Sequence, residues 1–314
     1  MKAITQHAFG GPEVLVVAEV DRPTPLPTEI LVRVHAAGVN PVDWKTRSGS
    51  GMAGVLGEPP FILGWDVSGV VEEVGFGVTT VKPGDEVYGM PWFPRAASAY
   101  AEYVTAPSRH FALKPAGISH VEAAALPLAV LTAWQALVDT AHVEAGHRVL
   151  VHAAAGGVGH LAVQIAKAKG AHVIGTASAG KHEFLRSIGV DEVVDYTTTR
   201  FEDVVSGVDV VIDLVGGENA VRSVKTLRPG GILVAIPSGL QEGVAEAAEA
   251  AGVRSTPFLV EPDHAALAEI AALVDSGKIR VAIEAVLPLA DAGKAHELGE
   301  AGRSTGKIVL SVVD

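Results

Sequence analysis

The chain contains no cysteine. Disulfides, thiol nucleophiles and thiolate-ligated zinc are therefore excluded. Aromatic residues are scarce at 5% of 314 positions, and charged residues reach only 19%. Positive charge is the scarcer sign: 24 Lys and Arg stand against 36 Asp and Glu, a net charge of −12. That balance argues against a nucleic-acid backbone or an anionic membrane as the main partner. Apolar runs such as 123–133 are too short and interrupted to span a bilayer. The amino-terminal Met1-Lys-Ala-Ile-Thr-Gln-His7 lacks the pattern of a signal peptide. The expectation is a cytoplasmic protein with no membrane and no nucleic-acid partner.

What the chain has in quantity is apolar mass. At 48% hydrophobic it can fill two cores. Residues 1 to about 120 read as mostly β, with branched runs at 30–35, 67–74 and 100–105 and a turn at 82–85 leading into a strand. Short strands between Gly/Pro turns point to a barrel-like domain. The pattern changes at Ser119, which with Glu122 forms a capping box for a helix starting near His120. From there strands and helices alternate. Strands are expected over 149–153, 172–176, 192–195, 208–213, 232–237 and 255–260. Helices are expected over 159–169, 180–188, 201–205, 217–226 and 243–251. That order is an α/β class, a doubly wound parallel Rossmann sheet. A helix over 263–276 and strands over 281–287 and 307–313 are expected to rejoin the first domain. The domains are thus 1–120 with 260–314, and 121–259.

The stretch from His147 to Lys167 carries the most chemistry. Val149, Leu150 and Val151 make a buried strand; Gly156, Gly157 and Gly159 make a turn; Leu161, Ala162, Ile165 and Ala166 recur at helical spacing. Strand, glycine turn and helix in this order aim backbone N–H groups and a positive helix end at a diphosphate. The first position of the G-x-G-x-x-G pattern is Ala154, so the surrounding strand–turn–helix context carries the reading. The next strand ends in Thr176-Ala-Ser178-Ala-Gly-Lys181, with no carboxylate to accept from a ribose 2′-hydroxyl. Ser178 can donate a hydrogen bond and Lys181 brings a positive charge, which favours NADPH over NADH. The twelve histidines show no metal-ligand spacing, and His142, His147 and His152 are expected on separate faces or loops.

Gly64-Trp65-Asp66-Val-Ser-Gly69 together with the glycine turn resembles the medium-chain dehydrogenase/reductase superfamily. Zinc-dependent members of that superfamily carry Gly-His-Glu where this chain has Gly64, Trp65 and Asp66. The motifs Asn40-Pro-Val-Asp-Trp-Lys45, Ala125-Leu-Pro-Leu-Ala-Val-Leu-Thr132, Ala154-Ala-Gly-Gly-Val-Gly159 and Ser304-Thr-Gly-Lys307-Ile-Val-Leu310 are similar to its zinc-independent quinone oxidoreductase branch. The likeness runs from Met1 to the last strand. It implies a GroES-like β domain beside the Rossmann domain, a homodimer, and reduction of quinones or α,β-unsaturated carbonyl compounds with NADPH.

Carried over residue by residue, the resemblance implies that Asn40 and Thr132 lie near the nicotinamide end. Gly156, Gly157 and Val158 contact the diphosphate. Ser178, Lys181 and Tyr196 surround the 2′-phosphate and adenine. Val215, Ile236 and Ser238 sit at strand ends facing the ligand, and Phe258, Val260 and Lys307 close the far side. Lys45, or a water, is the candidate for stabilising a developing enolate oxygen, with Asn40 beside it. Some quinone reductases of the branch have Tyr at the place of Lys45, and the form found here looks closer to enone reductases. Asn40 also reads as a turn cap before Pro41, and Lys45 as a solvated lysine. Asp43 and Asp66 read as buried acceptors rather than acids, and Trp65 as packing. An enoyl-thioester reductase and a non-catalytic NADPH-binding redox sensor remain open as alternatives.

Overall fold

The computed structural model describes residues 1–237 and 242–313. Two compact units emerge: Met1–Leu131 with Glu261–Asp314, and Thr132–Val260.

The first unit begins with strands β1 (Lys2–Gln6) and β2 (Leu15–Glu19), an antiparallel pair joined by the short β4 (Phe61–Ile62) on the other edge of β1. The long β3 (Glu29–Val39) is the spine of a second sheet. Along it lies β5 (Asp66–Val74), followed outward by β6 (Glu86–Gly89) and β8 (Phe111–Leu113). The other edge of β3 is shared: β7 (Tyr103–Pro107) pairs its first half and β16 (Lys307–Ser311) its second, with β15 (Ile283–Pro288) parallel to β16. Ile30, Val32 and Val34 alternate from β3 and pack on Val67, Val71, Val87, Val104 and Phe111, and most of the strand's other face is buried as well. Helices α1 (Pro41–Arg47), α2 (Ala53–Leu56), α3 (His120–Ala124), α10 (His264–Asp275) and α11 (Ala292–Glu300) belong to the same unit. The expected capping box starts α3, with Glu122 N–H donating to Ser119 Oγ at 3.2 Å and Ser119 N–H to Glu122 Oε2 at 2.8 Å.

In the second unit, β9 (Arg148–Val151), β10 (His172–Ala177), β11 (Glu192–Asp195), β12 (Val208–Asp213), β13 (Leu227–Ala235) and β14 (Arg254–Pro257) form a parallel sheet in the order β11-β10-β9-β12-β13-β14. Leu150, Ile174, Val211 and Leu233 lie side by side across four of these strands and are fully buried. Helices α5 (Gly159–Ala168), α6 (His182–Ser187), α7 (Phe201–Val204), α8 (Glu218–Val224) and α9 (Val244–Ala251) connect the strands. The chain runs outward from β9 in one direction and from β12 in the other. The ends of β9 and β12 are therefore the topological switch point, where sheets of this kind receive ligands.

The structure differs from the sequence reading in places with physical causes. The strand expected over 149–153 stops at Val151, because Ala153 adopts a left-handed φ of 46° that no strand accommodates. The strand expected over 255–260 is Arg254–Pro257. The β1–β2 hairpin and α1 were not expected. Three of β2's five residues are exposed and the other two half-buried, leaving little contrast between its faces, and α1 spans only seven residues. Among the described residues no helix is long and apolar enough to cross a membrane.

Candidate functional site

The turn after β9 is built around a row of backbone donors. Ala154 N–H donates to Thr176 O at 3.0 Å, and Gly156 N–H to Ala153 O at 2.9 Å. Among the described residues, the N–H groups of Ala155, Gly157, Val158 and Gly159 find no backbone or side-chain acceptor. Four open donors at the head of a ten-residue helix form an anion cradle, reinforced by the helix dipole. Gly159 is required by the close approach: a Cβ there would fall 2.3 Å from Ala153 O.

Those sequence-predicted cofactor residues of this unit that follow its strands lie at the same end of the parallel sheet. Gly156, Gly157 and Val158 are half-buried in the turn. Ser178 follows β10 and precedes a short 3-10 turn, Ala179–Lys181, so Lys181 stands one turn beyond the strand. Tyr196 follows β11 and is 60% exposed; Val215 lies two residues past β12 and is 54% exposed. Ile236 follows β13, its N–H donating to Asp213 O at 3.1 Å, and Phe258 follows β14. Val260 and Thr132 are buried. Ser238 lies outside the described residues. Sequence reasoning passed over Asp213, whose fully buried carboxylate accepts from the N–H groups of Val215 and Gly216 at 3.0 Å and so shapes the turn after β12. An acid at the end of a mostly apolar strand was the available signal.

The first unit holds a buried polar network instead. Asn40 begins α1, and its N–H donates to Asp43 Oδ2 at 2.6 Å, with Pro41 at the first helical position. Asn40 Nδ2 donates to Asp66 Oδ2 at 2.8 Å, while Asn40 Oδ1 accepts from Lys307 Nζ. Lys307 also donates to Val39 O at 3.1 Å and lies 3.6 Å from Asp66. Asp66 Oδ1 accepts from Leu128 N–H at 2.7 Å. With its ammonium engaged on three sides and 3% exposed, Lys307 holds Asn40 and Asp66 in place. Burial pushes the Lys307 ammonium down and the Asp66 carboxyl up, and their mutual attraction opposes both shifts.

From Asp43 a second chain leads outward. Tyr100 OH donates to Asp43 Oδ2 at 3.0 Å and accepts from His296 Nε2 at 3.2 Å. His296 Nδ1 accepts from Arg47 at 3.3 Å, and Arg47 donates to Glu300 at 2.8 Å. Burial raises the Asp43 carboxyl to about 7 despite two donors that favour its ionised form. Asp43 and Asp66 are thus buried acceptors, as the sequence suggested, and Trp65 is packing: its ring meets Phe93 edge-on at 5.6 Å and its Nε1 donates to Arg95 O at 2.7 Å. Lys45 stands exposed on α1, two residues from both Asp43 and Arg47 and hence on the opposite helix face. The Tyr100–His296–Arg47 link was missed because its members lie far apart in sequence.

A parallel sheet with an anion cradle at its switch point, joined to a GroES-like β unit, defines a Rossmann-type nucleotide-binding protein. Comparison with known proteins narrows this. Residues 26–116 match the model of the alcohol dehydrogenase GroES-like domain, and residues 188–310 match that of a zinc-binding dehydrogenase. A 2-methylene-furan-3-one reductase from Solanum lycopersicum is 37% identical, covering 99% of this chain and 79% of the relative. The structure of a quinone oxidoreductase from Coxiella burnetii is 40% identical over 100% of this chain and 99% of that one, with a TM-score of 0.93. The Escherichia coli quinone oxidoreductase, solved in complex with NADPH, is 31% identical over 99% and 100%, with a TM-score of 0.87. The chain belongs to the medium-chain dehydrogenase/reductase superfamily, among the quinone oxidoreductases. The absence of cysteine and the Trp65-Asp66 pair are consistent with its zinc-independent branch.

Proposed function

We propose that the protein is an NADPH-dependent reductase of quinones or α,β-unsaturated carbonyl compounds. The carrying observation is the row of four open N–H groups at the head of α5, set at the switch point. The relatives' quinone and enone chemistry and the NADPH held by one of them support the same reading. When bound, NADPH supplies the hydride. The turn at Gly156, Gly157 and Val158 holds the diphosphate, with Gly157 and Val158 offering open backbone N–H groups and Gly156 closing the turn through its own bond to Ala153 O. Ser178 and Lys181 hold the 2′-phosphate, Tyr196 flanks the adenine, and Val215, Ile236 and Phe258 at the strand ends shape the remaining wall; the resemblance assigns Ser238 and Val260 to the same ligand. Thr132 and Asn40 are assigned to the nicotinamide end. Asn40 keeps one amide hydrogen beyond its bond to Asp66. Lys45 is the candidate to stabilise a developing enolate oxygen, and solvent supplies the proton.

Quinone and enone turnover with NADPH, followed by loss of NADPH absorbance and with NADH in parallel, tests this reading. Turnover by NADPH in preference to NADH is expected. Tight NADPH binding without turnover of any quinone, enone or enoyl thioester would replace it with the sensor reading. The resemblance further supports a homodimer in the cytoplasm, which sedimentation and cell fractionation would check.

A further inference from the structure

Directly behind the glycine turn lies His152, a buried side chain to which the proposed reaction gives no part. It is 1% exposed and follows β9 immediately. Its N–H donates to Ile212 O at 3.1 Å, so β9–β12 pairing continues through its backbone and fixes where the ring begins. The ring meets Phe201 edge-on at 4.6 Å. Nδ1 lies 3.2 Å from Thr176 Oγ1 and Nε2 lies 2.8 Å from Ser223 Oγ.

The partners dictate the direction of each bond. Ser223 Oγ donates to Asn219 O at 2.6 Å, so towards His152 it is an acceptor and Nε2 carries the proton. Nδ1 is then an acceptor, and Thr176 Oγ1–H donates to it. Thr176 Oγ1 in turn accepts from Ala153 N–H at 3.2 Å. One directed chain therefore runs from Ala153 through Thr176, His152 and Ser223 to Asn219. Asn219 lies in the first turn of α8, and its side-chain amide donates to Asp213 Oδ1 at 3.4 Å, where the turn after β12 is anchored. Burial holds the ring neutral by pushing its pKa down to about 4.

Ala153 is the residue that needs such a hold. Its φ of 46° is a left-handed conformation that an alanine adopts only at a cost. Its carbonyl accepts from Gly156 and faces the α-carbon of Gly159, so its orientation sets the path of the four open donors. We infer that His152, through its Nε2–H tautomer, is a positioning residue that locks the diphosphate turn after β9 to the turn after β12. It touches no ligand and acts through Thr176 and Ala153. This rests on the NADPH reading of the cradle.

The test uses the full chain and NADPH titration by fluorescence, with His152→Phe, Thr176→Val, Ala153→Gly and the combinations with Ala153→Gly. His152→Phe and Thr176→Val should each weaken NADPH binding about tenfold, the scale of one buried hydrogen bond. Glycine has no Cβ penalty in the left-handed region, so Ala153→Gly should make the turn independent of the clamp. Each double variant should then bind within about threefold of Ala153→Gly alone. A purely structural histidine would lower the melting temperature without that rescue. Thr176→Val, nearly isosteric, covers the case in which His152→Phe does not fold. Unchanged affinity in Thr176→Val, no rescue by glycine, or a ring 15N spectrum showing the Nδ1–H tautomer would overturn the inference while leaving NADPH binding intact. A wild-type protein that binds no NADPH would overturn the cradle reading and this inference with it.

Discussion

Asn40, Asp66 and Lys307 in the first unit are each no more than 3% exposed and bound to one another, whereas Ala155, Gly157, Val158 and Gly159 in the second unit leave their N–H groups without an acceptor among the described residues. One region has spent its polar groups internally; the other holds them open for a ligand. Buried charge must be paired because desolvation in a low-dielectric interior is costly. Backbone donors at a helix head can stay open because ligand or solvent can reach them. The first region is therefore sensitive in stability, and the second in binding.

The sharpest test removes one side of the buried pair. Lys307→Met should cost about 3–5 kcal/mol of stability in denaturant unfolding, because Asp66 is left buried without its cation. Combining it with Asp66→Asn should recover part of that loss. A single variant within about 1 kcal/mol of wild type would show that the pair does not govern the first unit. In the second unit, Gly159→Ala should weaken NADPH at least about tenfold, since the new Cβ would collide with Ala153 O at 2.3 Å. Calorimetric titration reads this directly.

Asp43 gives the comparison a pH axis. Its carboxyl is raised from 3.8 to about 7, first by burial. The native state therefore holds the proton more tightly than the unfolded chain. Stability from this site is present at low pH and falls as pH rises from about 4 to about 7, by at most about 1.4 kcal/mol per pH unit. Asp43→Asn should flatten that part of the profile; an unchanged slope would assign it elsewhere. The smallest effects are expected from exposed or half-buried lysines. Lys45→Ala should lower kcat several-fold while NADPH affinity stays constant, and an unaltered kcat removes Lys45 from the reaction. Lys181→Glu should shift preference towards NADH several-fold, measured as the ratio of kcat/KM for the two cofactors.

Much of this was legible along the chain. The β11 and β12 ranges match the expected ones residue for residue, and α5 differs only at its last residue. Their hydrophobic periodicity and turn glycines are local signals. The capping box of α3 was equally local. Lys307 shows the opposite case. Nothing in its C-terminal motif showed that it is buried against residues 267 and 241 positions earlier, Asn40 and Asp66. His152 lies in the turn after β9, and its enclosure between Thr176 of β10 and Ser223 of α8 was not readable from the chain.

Periodicity, glycine spacing and the lack of cysteine thus determined the fold class, the place of the glycine turn after β9 and the exclusion of thiolate zinc. These follow from backbone geometry and residue chemistry, which act within a few positions. Which polar groups would be used up in pairing, and which left open, was decided only by the tertiary structure. Hydrogen-bond partners are set by which strand ends meet in space, and that depends on sheet order and burial rather than on neighbours in the chain.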